Sequence, residues 1–326
     1  MMKKELIDKF IEQAKHKRKT IVFPEGRDER ILTSAWKVQR QGICNSILIG
    51  EKSNIYSSGK RLNLEIDEVE IIEPTNYSGF DTLVDSYLES RPNLSRRVVE
   101  RLLRKELIFG GMLVATGVAD GMVAGAINTT ATVIQSASLT VGYQEGISTP
   151  SSFFIMSFPN KRVLFYADCA VNIDPTPEQL AEIGISTARS YKKLMNEEPK
   201  VAFLSFSTKG SATHALVEKV RKAVEIAKLK APEILLDGEF QADTALSPEV
   251  AAKKLKTPNL VAGNANVLIF PDLNAGNISY KLTQYLVGAH AYGPILQGFS
   301  KPVSDLSRGA NVEDIIGVTA LTCLQI

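Results

Sequence analysis

The chain has 326 residues, 38 Lys+Arg against 36 Asp+Glu, a formal net charge of +2, and 44% hydrophobic residues. Such a composition argues against a disordered chain, and the near-neutral charge gives no global reason to bind nucleic acid or an anionic membrane. The length exceeds what one core usually supports, so two domains are expected. Thr20 to Phe23 reads as a β-strand that stops at Pro24-Glu25-Gly26. A charged amphipathic helix is expected from about Asp28 to Arg40, with strands at Ser46 to Gly50 and Val69 to Ile72. Phe80 to Arg104 has helical character, broken or restarted at Pro92. Gly121 to Ala126 reads as a buried strand and Asn128 to Thr140 as a helix.

The texture changes near residue 150. Phe153 to Ser157 and Val163 to Ala167, joined at Pro159-Asn160, read as a hairpin. Thr176-Pro177-Glu178 has the form of a helix start. Strands are then expected at Val201 to Phe206, Ile234 to Leu236, Val267 to Phe270 and Ile295 to Leu296, separated by helices. This alternation predicts an α/β fold with mostly parallel sheets. The first boundary is placed in Val141 to Gly146 and the second in Ser300 to Ser304. That makes residues 1–145 plus 302–326 a discontinuous first domain and 146–301 the second. A last helix, Asn311 to Gln325, is expected to return to the first domain.

Cys44, Cys169 and Cys323 are odd in number and scattered, which favours a reducing cytoplasm over a disulfide framework. His16, His214 and His290 form no zinc motif, so no metal is expected. Charges interrupt the N-terminal run from Met1 to Phe10 too often for a signal peptide, and no stretch of about 20 residues is apolar enough to span a bilayer. Gly117, Gly121 and Gly125 are spaced as a tandem GxxxG, but Asp120 inside it points to a Gly-rich strand.

The strongest chemical signal lies in residues 301–314. Here Ser307, Arg308 and Gly309 precede Asn311, a candidate helix cap, with Asp314 three residues later. A helix N-terminus attracts anions through its free N–H groups and dipole. Arg308 is suited to clamp a phosphate and Ser307 to donate to an oxyanion. Asp314 suits either a helix cap or a general base. Ser205 to Ser211, with Ser207 and Lys209, follows a strand and could bind an anion, although it is not a Walker loop. Asp237-Gly238-Glu239 and Pro271-Asp272-Leu273-Asn274 also follow strands, where open α/β sheets bind ligands. There is no GxGxxG dinucleotide fingerprint.

Several stretches, in this order, resemble the phosphate acetyl/butyryltransferase family, and its phosphate acetyltransferases above all. They are Phe-Pro-Glu-Gly-Arg-Asp-Glu-Arg from Phe23, Ala-Asp-Gly-Met-Val-Ala-Gly-Ala from Ala119, Tyr-Ala-Asp-Cys-Ala-Val-Asn from Tyr166, Ser-Phe-Ser-Thr-Lys-Gly-Ser from Ser205, Asp-Gly-Glu-Phe-Gln-Ala-Asp from Asp237, Pro-Asp-Leu-Asn-Ala-Gly-Asn from Pro271 and Asp-Leu-Ser-Arg-Gly from Asp305. The resemblance implies an isocitrate/isopropylmalate dehydrogenase-like fold with a cleft between two domains, and a cytoplasmic homodimer. It implies reversible acetyl transfer between coenzyme A and phosphate. Acetyl-CoA and acetyl phosphate are then substrates, with no permanently bound cofactor and no nucleic acid or membrane partner.

By the same resemblance Asp314 would deprotonate the thiol, Ser307 would stabilise the oxyanion and Arg308 would hold the phosphate. Arg91 would help bind coenzyme A, Cys169 would line the site, and Thr130, Ser207, Lys209, Asn277 and Lys281 would complete the substrate-binding set. Gln135 stands where the family usually has a second substrate-binding arginine, which predicts weaker coenzyme A binding. Three other readings stay open: a pyridine-nucleotide dehydrogenase of the same fold, a non-catalytic sensing module, and an acyltransferase preferring propionyl or butyryl groups. The first lacks its metal-holding carboxylates, and the second would be expected to lose the Ser-Arg-Asp set.

Overall fold

The structure is a computed structural model that describes residues 2–326, with side chains from Leu6 onward. The charged residues 1–5 of the N-terminal run lie outside the described side chains. The chain divides into two compact units, Met1–Gln144 with Phe299–Ile326, and Glu145–Gly298.

The first unit begins with α1 (Met2–Lys15), β1 (Thr20–Phe23) and α2 (Glu29–Arg40). β1 is Thr-Ile-Val-Phe, a β-branched and aromatic run with three fully buried residues. The Asp28 carboxylate caps α2 by accepting from the Arg30 N–H at 2.9 Å. Then follow β2 (Asn45–Ile49), α3 (Lys52–Arg61), β3 (Glu70–Ile72), α4 (Phe80–Glu89), α5 (Arg96–Leu103), α6 (Glu106–Ala115), β4 (Gly121–Ala124) and α7 (Thr130–Thr140). The helical stretch expected from Phe80 to Arg104 is thus two helices parted around Pro92. α6 has no counterpart in the sequence reading. It runs from Leu107 to Val114 without an exposed residue, so it has no polar stripe to betray its period.

The second unit contains β5 (Ser151–Ser157), β6 (Val163–Ala167), α8 (Pro177–Met195), β7 (Lys200–Leu204), α9 (Ala215–Lys230), β8 (Leu235–Phe240), α10 (Ala242–Leu246), α11 (Pro248–Lys254), β9 (Val267–Ile269), α12 (Leu273–Val287) and β10 (His290–Gln297). β5 and β6 form the expected antiparallel hairpin. α8 starts with Pro177 behind a capping box of Thr176 and Gln179. The sheet order is β10-β5-β6-β9-β7-β8, parallel from β6 to β8 and antiparallel in the β10-β5-β6 part.

The chain returns to the first unit with β11 (Val303–Asp305) and α13 (Val312–Gln325). Its sheet is wholly parallel, in the order β11-β4-β1-β2-β3. α13 packs on α1, α2, β4 and β11. β11 was not expected as a strand, because Val-Ser-Asp is short and largely polar. Parallel pairing with β4, from Val303 opposite Met122 to Asp305 opposite Ala124, makes it one. Among the described residues no helix is long and apolar enough to cross a membrane, and no cluster of His, Cys, Asp or Glu could hold a metal.

Candidate active site

All strands of the first sheet run the same way, so the segments leaving β1, β4 and β11 emerge at one edge. Glu25 follows β1. Its carboxylate is 1% exposed and accepts from the N–H groups of Gly125, Ala126, Ile127 and Asn128 and from Asn128 Nδ2, at 2.8–3.1 Å. A buried charge survives only when so matched. It shapes the turn between β4 and α7.

Arg30 ties that turn to the segment after β11. Its Nη2 donates to Ala126 O at 2.9 Å, and its Nη1 to Arg308 O at 2.7 Å and Ala310 O at 2.9 Å. Asp28 holds the same guanidinium through Nε at 3.1 Å and Nη2 at 2.8 Å. A planar fork with five donors can serve this many acceptors; an ammonium cannot.

Ser307, Arg308 and Gly309 are exposed on this segment. Ser307 Oγ accepts a long hydrogen bond from Gly309 N, 3.3 Å, and the Arg308 guanidinium makes no hydrogen bond or ion pair among the described residues. Asn311 and Asp314 form a capping box. Asn311 Oδ1 accepts from Asp314 N at 3.0 Å, and Asp314 Oδ2 accepts from Asn311 N at 3.1 Å. Asp314 is exposed, and the cap leaves its Oδ1 without a partner. The capping geometry therefore accounts for one carboxylate oxygen only.

Thr130 opens α7, and its hydroxyl donates to Asp305 Oδ2 at 2.5 Å. Gln135 is exposed on the same helix. Arg91 follows α4; its guanidinium lies 4.3 Å from the centre of the Tyr87 ring and donates to Ser90 Oγ at 2.8 Å. Asp305 is almost fully buried, and burial pushes its carboxyl up to about 6, with the Thr130 hydrogen bond opposing and Glu25 adding to the rise.

The remaining candidates belong to the second unit, four of the five already held by their own surroundings. Cys169 is fully buried, and that burial, with Asp168 adding to it, pushes its thiol well above the ordinary range. It supports the loop after β6 and does not present a sulfur at a surface. Asn277 Nδ2 donates to Cys169 O at 3.0 Å. The approach of α12 depends on Gly276, where a Cβ would lie 2.1 Å from Asp168 O. Ser207 is buried: its hydroxyl donates to Glu239 Oε1 at 2.9 Å and accepts from Ala212 N at 3.1 Å. Lys209 Nζ is bound to Asp237 Oδ1 at 2.8 Å and Gly238 O at 2.6 Å. Asp237 also accepts from Lys228 at 2.7 Å, and both lysines hold its carboxyl below the usual range against the effect of burial. Lys281 is exposed beside the Tyr280 ring.

Glu25, Arg30 and Asp305 were legible only as letters of motifs. Each lies within a stretch that the resemblance quotes, yet most of their partners sit about 100 to 280 residues away. Only the match of charge to a backbone turn reveals their work.

These features describe an α/β chain with an exposed Ser-Arg-Gly segment ahead of a capped helix. The chain belongs to the phosphate acetyl/butaryl transferase family, a family of acyltransferases, whose model matches residues 5–323. It is 46% identical to a phosphate acetyltransferase of Thermoanaerobacterium thermosaccharolyticum over 98% of this chain and 99% of that one. A phosphotransacetylase from Streptococcus pyogenes superposes with a TM-score of 0.94 at 41% identity, covering 99% of this chain and 98% of the other. A 4-hydroxythreonine-4-phosphate dehydrogenase from Burkholderia phymatum, at 11% identity and a TM-score of 0.55 over 93% and 98% of the two chains, shares the fold alone.

Proposed function

We propose that the chain interconverts acetyl-CoA and phosphate with coenzyme A and acetyl phosphate by direct attack of the thiolate on the acyl carbonyl, with no acyl-enzyme. The observation that carries this reading is the unpaired Arg308 guanidinium beside the exposed Ser307 hydroxyl, on a segment whose backbone is held by Arg30. Arg308 receives the phosphoryl group through parallel hydrogen bonds and neutralises the charge it gains on leaving. Ser307 donates to the oxyanion of the tetrahedral intermediate. Asp314 takes the thiol proton through the oxygen that its cap does not use. An ordinary thiol titrates near pH 8.5, so one carboxylate suffices to help it ionise at neutral pH. The chemistry so drawn calls for no resident metal or cofactor. Arg91, Gln135 and Thr130 contribute to substrate binding in the first unit.

A cytoplasmic homodimer completes this reading. Its support is α12, of which only Gly276 is buried, and which presents Ile278, Leu282, Tyr285 and Leu286 at 52–82% exposure. An apolar face of that kind suits a second copy of the chain. Light scattering should give twice the chain mass, falling to the single mass in Leu282→Lys.

The function is tested with purified protein, coenzyme A and acetyl, propionyl or butyryl phosphate, following thioester absorbance. Fastest turnover with acetyl phosphate is expected. No thioester with any of the three would remove the reading.

A further inference from the structure

Asp305 ends β11 opposite Ala124 and is 1% exposed, yet its Oδ1 accepts no well-formed hydrogen bond: the nearby Leu306 N–H, which only partly offsets the rise of the carboxyl, donates to Ala124 O at 2.7 Å. Gly125, at φ +105°, makes the room for this oxygen: a Cβ there would lie 2.3 Å from it. Leaving a buried carboxylate oxygen unmatched is costly, so the group is expected to serve something other than stability. Its other oxygen takes the Thr130 hydroxyl at 2.5 Å. Two of the elements packed on β11, β4 and α7, carry no titratable residue. The third, α13, has Glu313 and Asp314 in its first turn and Cys323, which faces Cys44. Glu25 is the charge that faces Asp305, and the Arg30 guanidinium is engaged by Asp28 and three carbonyls.

We propose that Asp305 is a positioning residue which, by holding or losing one proton, sets the direction in which the Thr130 hydroxyl faces the phosphoryl group of the substrate. The inference rests on the phosphoryl site proposed at Ser307 and Arg308. Ionised Asp305 accepts a hydrogen bond from the Thr130 hydroxyl, and the Thr130 oxygen then offers only lone pairs outward. That matches hydrogen phosphate, which has a P–O–H to donate. Neutral Asp305 donates its own proton to Thr130 Oγ1, and the Thr130 O–H turns outward as a donor. That matches the acetyl phosphate dianion, whose phosphoryl oxygens only accept. The proton is exchanged with solvent, and no other bond is made or broken. The switch falls in a useful range because burial has raised the carboxyl to about 6.

The test is the KM for acetyl phosphate, with coenzyme A saturating, from about pH 5 to about pH 8, in the parent enzyme and in Asp305→Asn. Ionisation of the substrate affects both enzymes alike and cancels in the quotient of their KM values. Asparagine cannot titrate, so the quotient of parent over variant should rise about tenfold with pH, the worth of one hydrogen bond to a charged group. A quotient level within about twofold overturns the inference. Thr130→Val should lose the same pH-dependent part; if it keeps the parent's dependence the inference also falls, including where Asp305→Asn does not fold. Protection against thermal melting by inorganic phosphate alone separates the two readings. Loss of protection in Arg308→Gln together with a level quotient would sink this inference and leave the phosphoryl site standing. Unchanged protection in Arg308→Gln would sink both.

Discussion

The Arg30 guanidinium donates to the carbonyl oxygen of Arg308 at 2.7 Å, across 278 residues of sequence. One arginine thereby fixes the backbone of another and leaves that second guanidinium free for an anion. If the placement of Arg308 matters to the chemistry, Arg30 governs rate without touching substrate. Arg30→Lys can reach at most part of the set formed by Ala126 O, Arg308 O, Ala310 O and Asp28. We expect kcat/KM for acetyl phosphate to fall by roughly 10- to 100-fold, since small misplacements near the reacting atoms carry such costs. Steady-state kinetics with a melting curve check it. Parent-like kinetics would show that the segment after β11 holds its shape without Arg30.

Ser307→Ala is expected to lose roughly 10²–10³ in turnover with its melting temperature unchanged, because the hydroxyl is exposed and makes only a long hydrogen bond at 3.3 Å. Arg308→Gln should lose at least as much, and its KM for phosphate should rise. Normal turnover in both variants would return the pair to the role of a turn.

Asp314→Asn separates the cap from the base. Asparagine keeps an oxygen for the Asn311 N–H, so loss of the charge should cost no more than about 1 kcal/mol of stability. Turnover should drop by roughly 10²–10⁴ at neutral pH and recover in part above about pH 8.5, where the thiol ionises unaided. The measurement is turnover against pH. A variant as active as the parent near pH 7 would leave Asp314 as a cap alone.

Asp305 makes a prediction about stability whose sign can be worked out. Its folded carboxyl is raised to about 6 from an ordinary 3.8. The fold therefore binds this proton more tightly than the unfolded chain does. The contribution is full below the ordinary value and is lost as pH rises through about 6. Above that, the ionised group costs about 3 kcal/mol at about 1.4 kcal/mol per unit. Asp305→Asn should melt higher than the parent near pH 8, and the gap should close toward pH 4. An equal gap at both ends, or a lower melting temperature throughout, would contradict it.

Gln135 is exposed on α7. Gln135→Arg should tighten coenzyme A by up to about fivefold, the modest range of a solvent-screened ion pair, with kcat unchanged. Calorimetric titration decides it; unchanged affinity would mean that another cation already serves that end of the ligand.

Much of the fold was legible in the sequence because its signals are local. Thr-Ile-Val-Phe before Pro24 can hardly be anything but a strand, and Thr176-Pro177 opens a helix by its own chemistry. The order of motifs pointed to acyl transfer, and Asn311 with Asp314 pointed to a capped helix. What the sequence could not hold is non-local. α6 is apolar on every side and has no period to read. β11 is three residues, largely polar, and becomes a strand only because β4 lies beside it. Glu25, Arg30 and Asp305 are only letters of motifs until the sheet draws the ends of β1, β4 and β11 to one edge. A carboxylate buried against four backbone N–H groups, or an arginine spanning carbonyls from two segments, is made by distances in space that spacing along the chain does not encode. Motif order thus identified the family, whereas only the tertiary structure decided which charges are left without a partner, as at Arg308, and which are consumed in holding the backbone around them, as at Glu25 and Arg30.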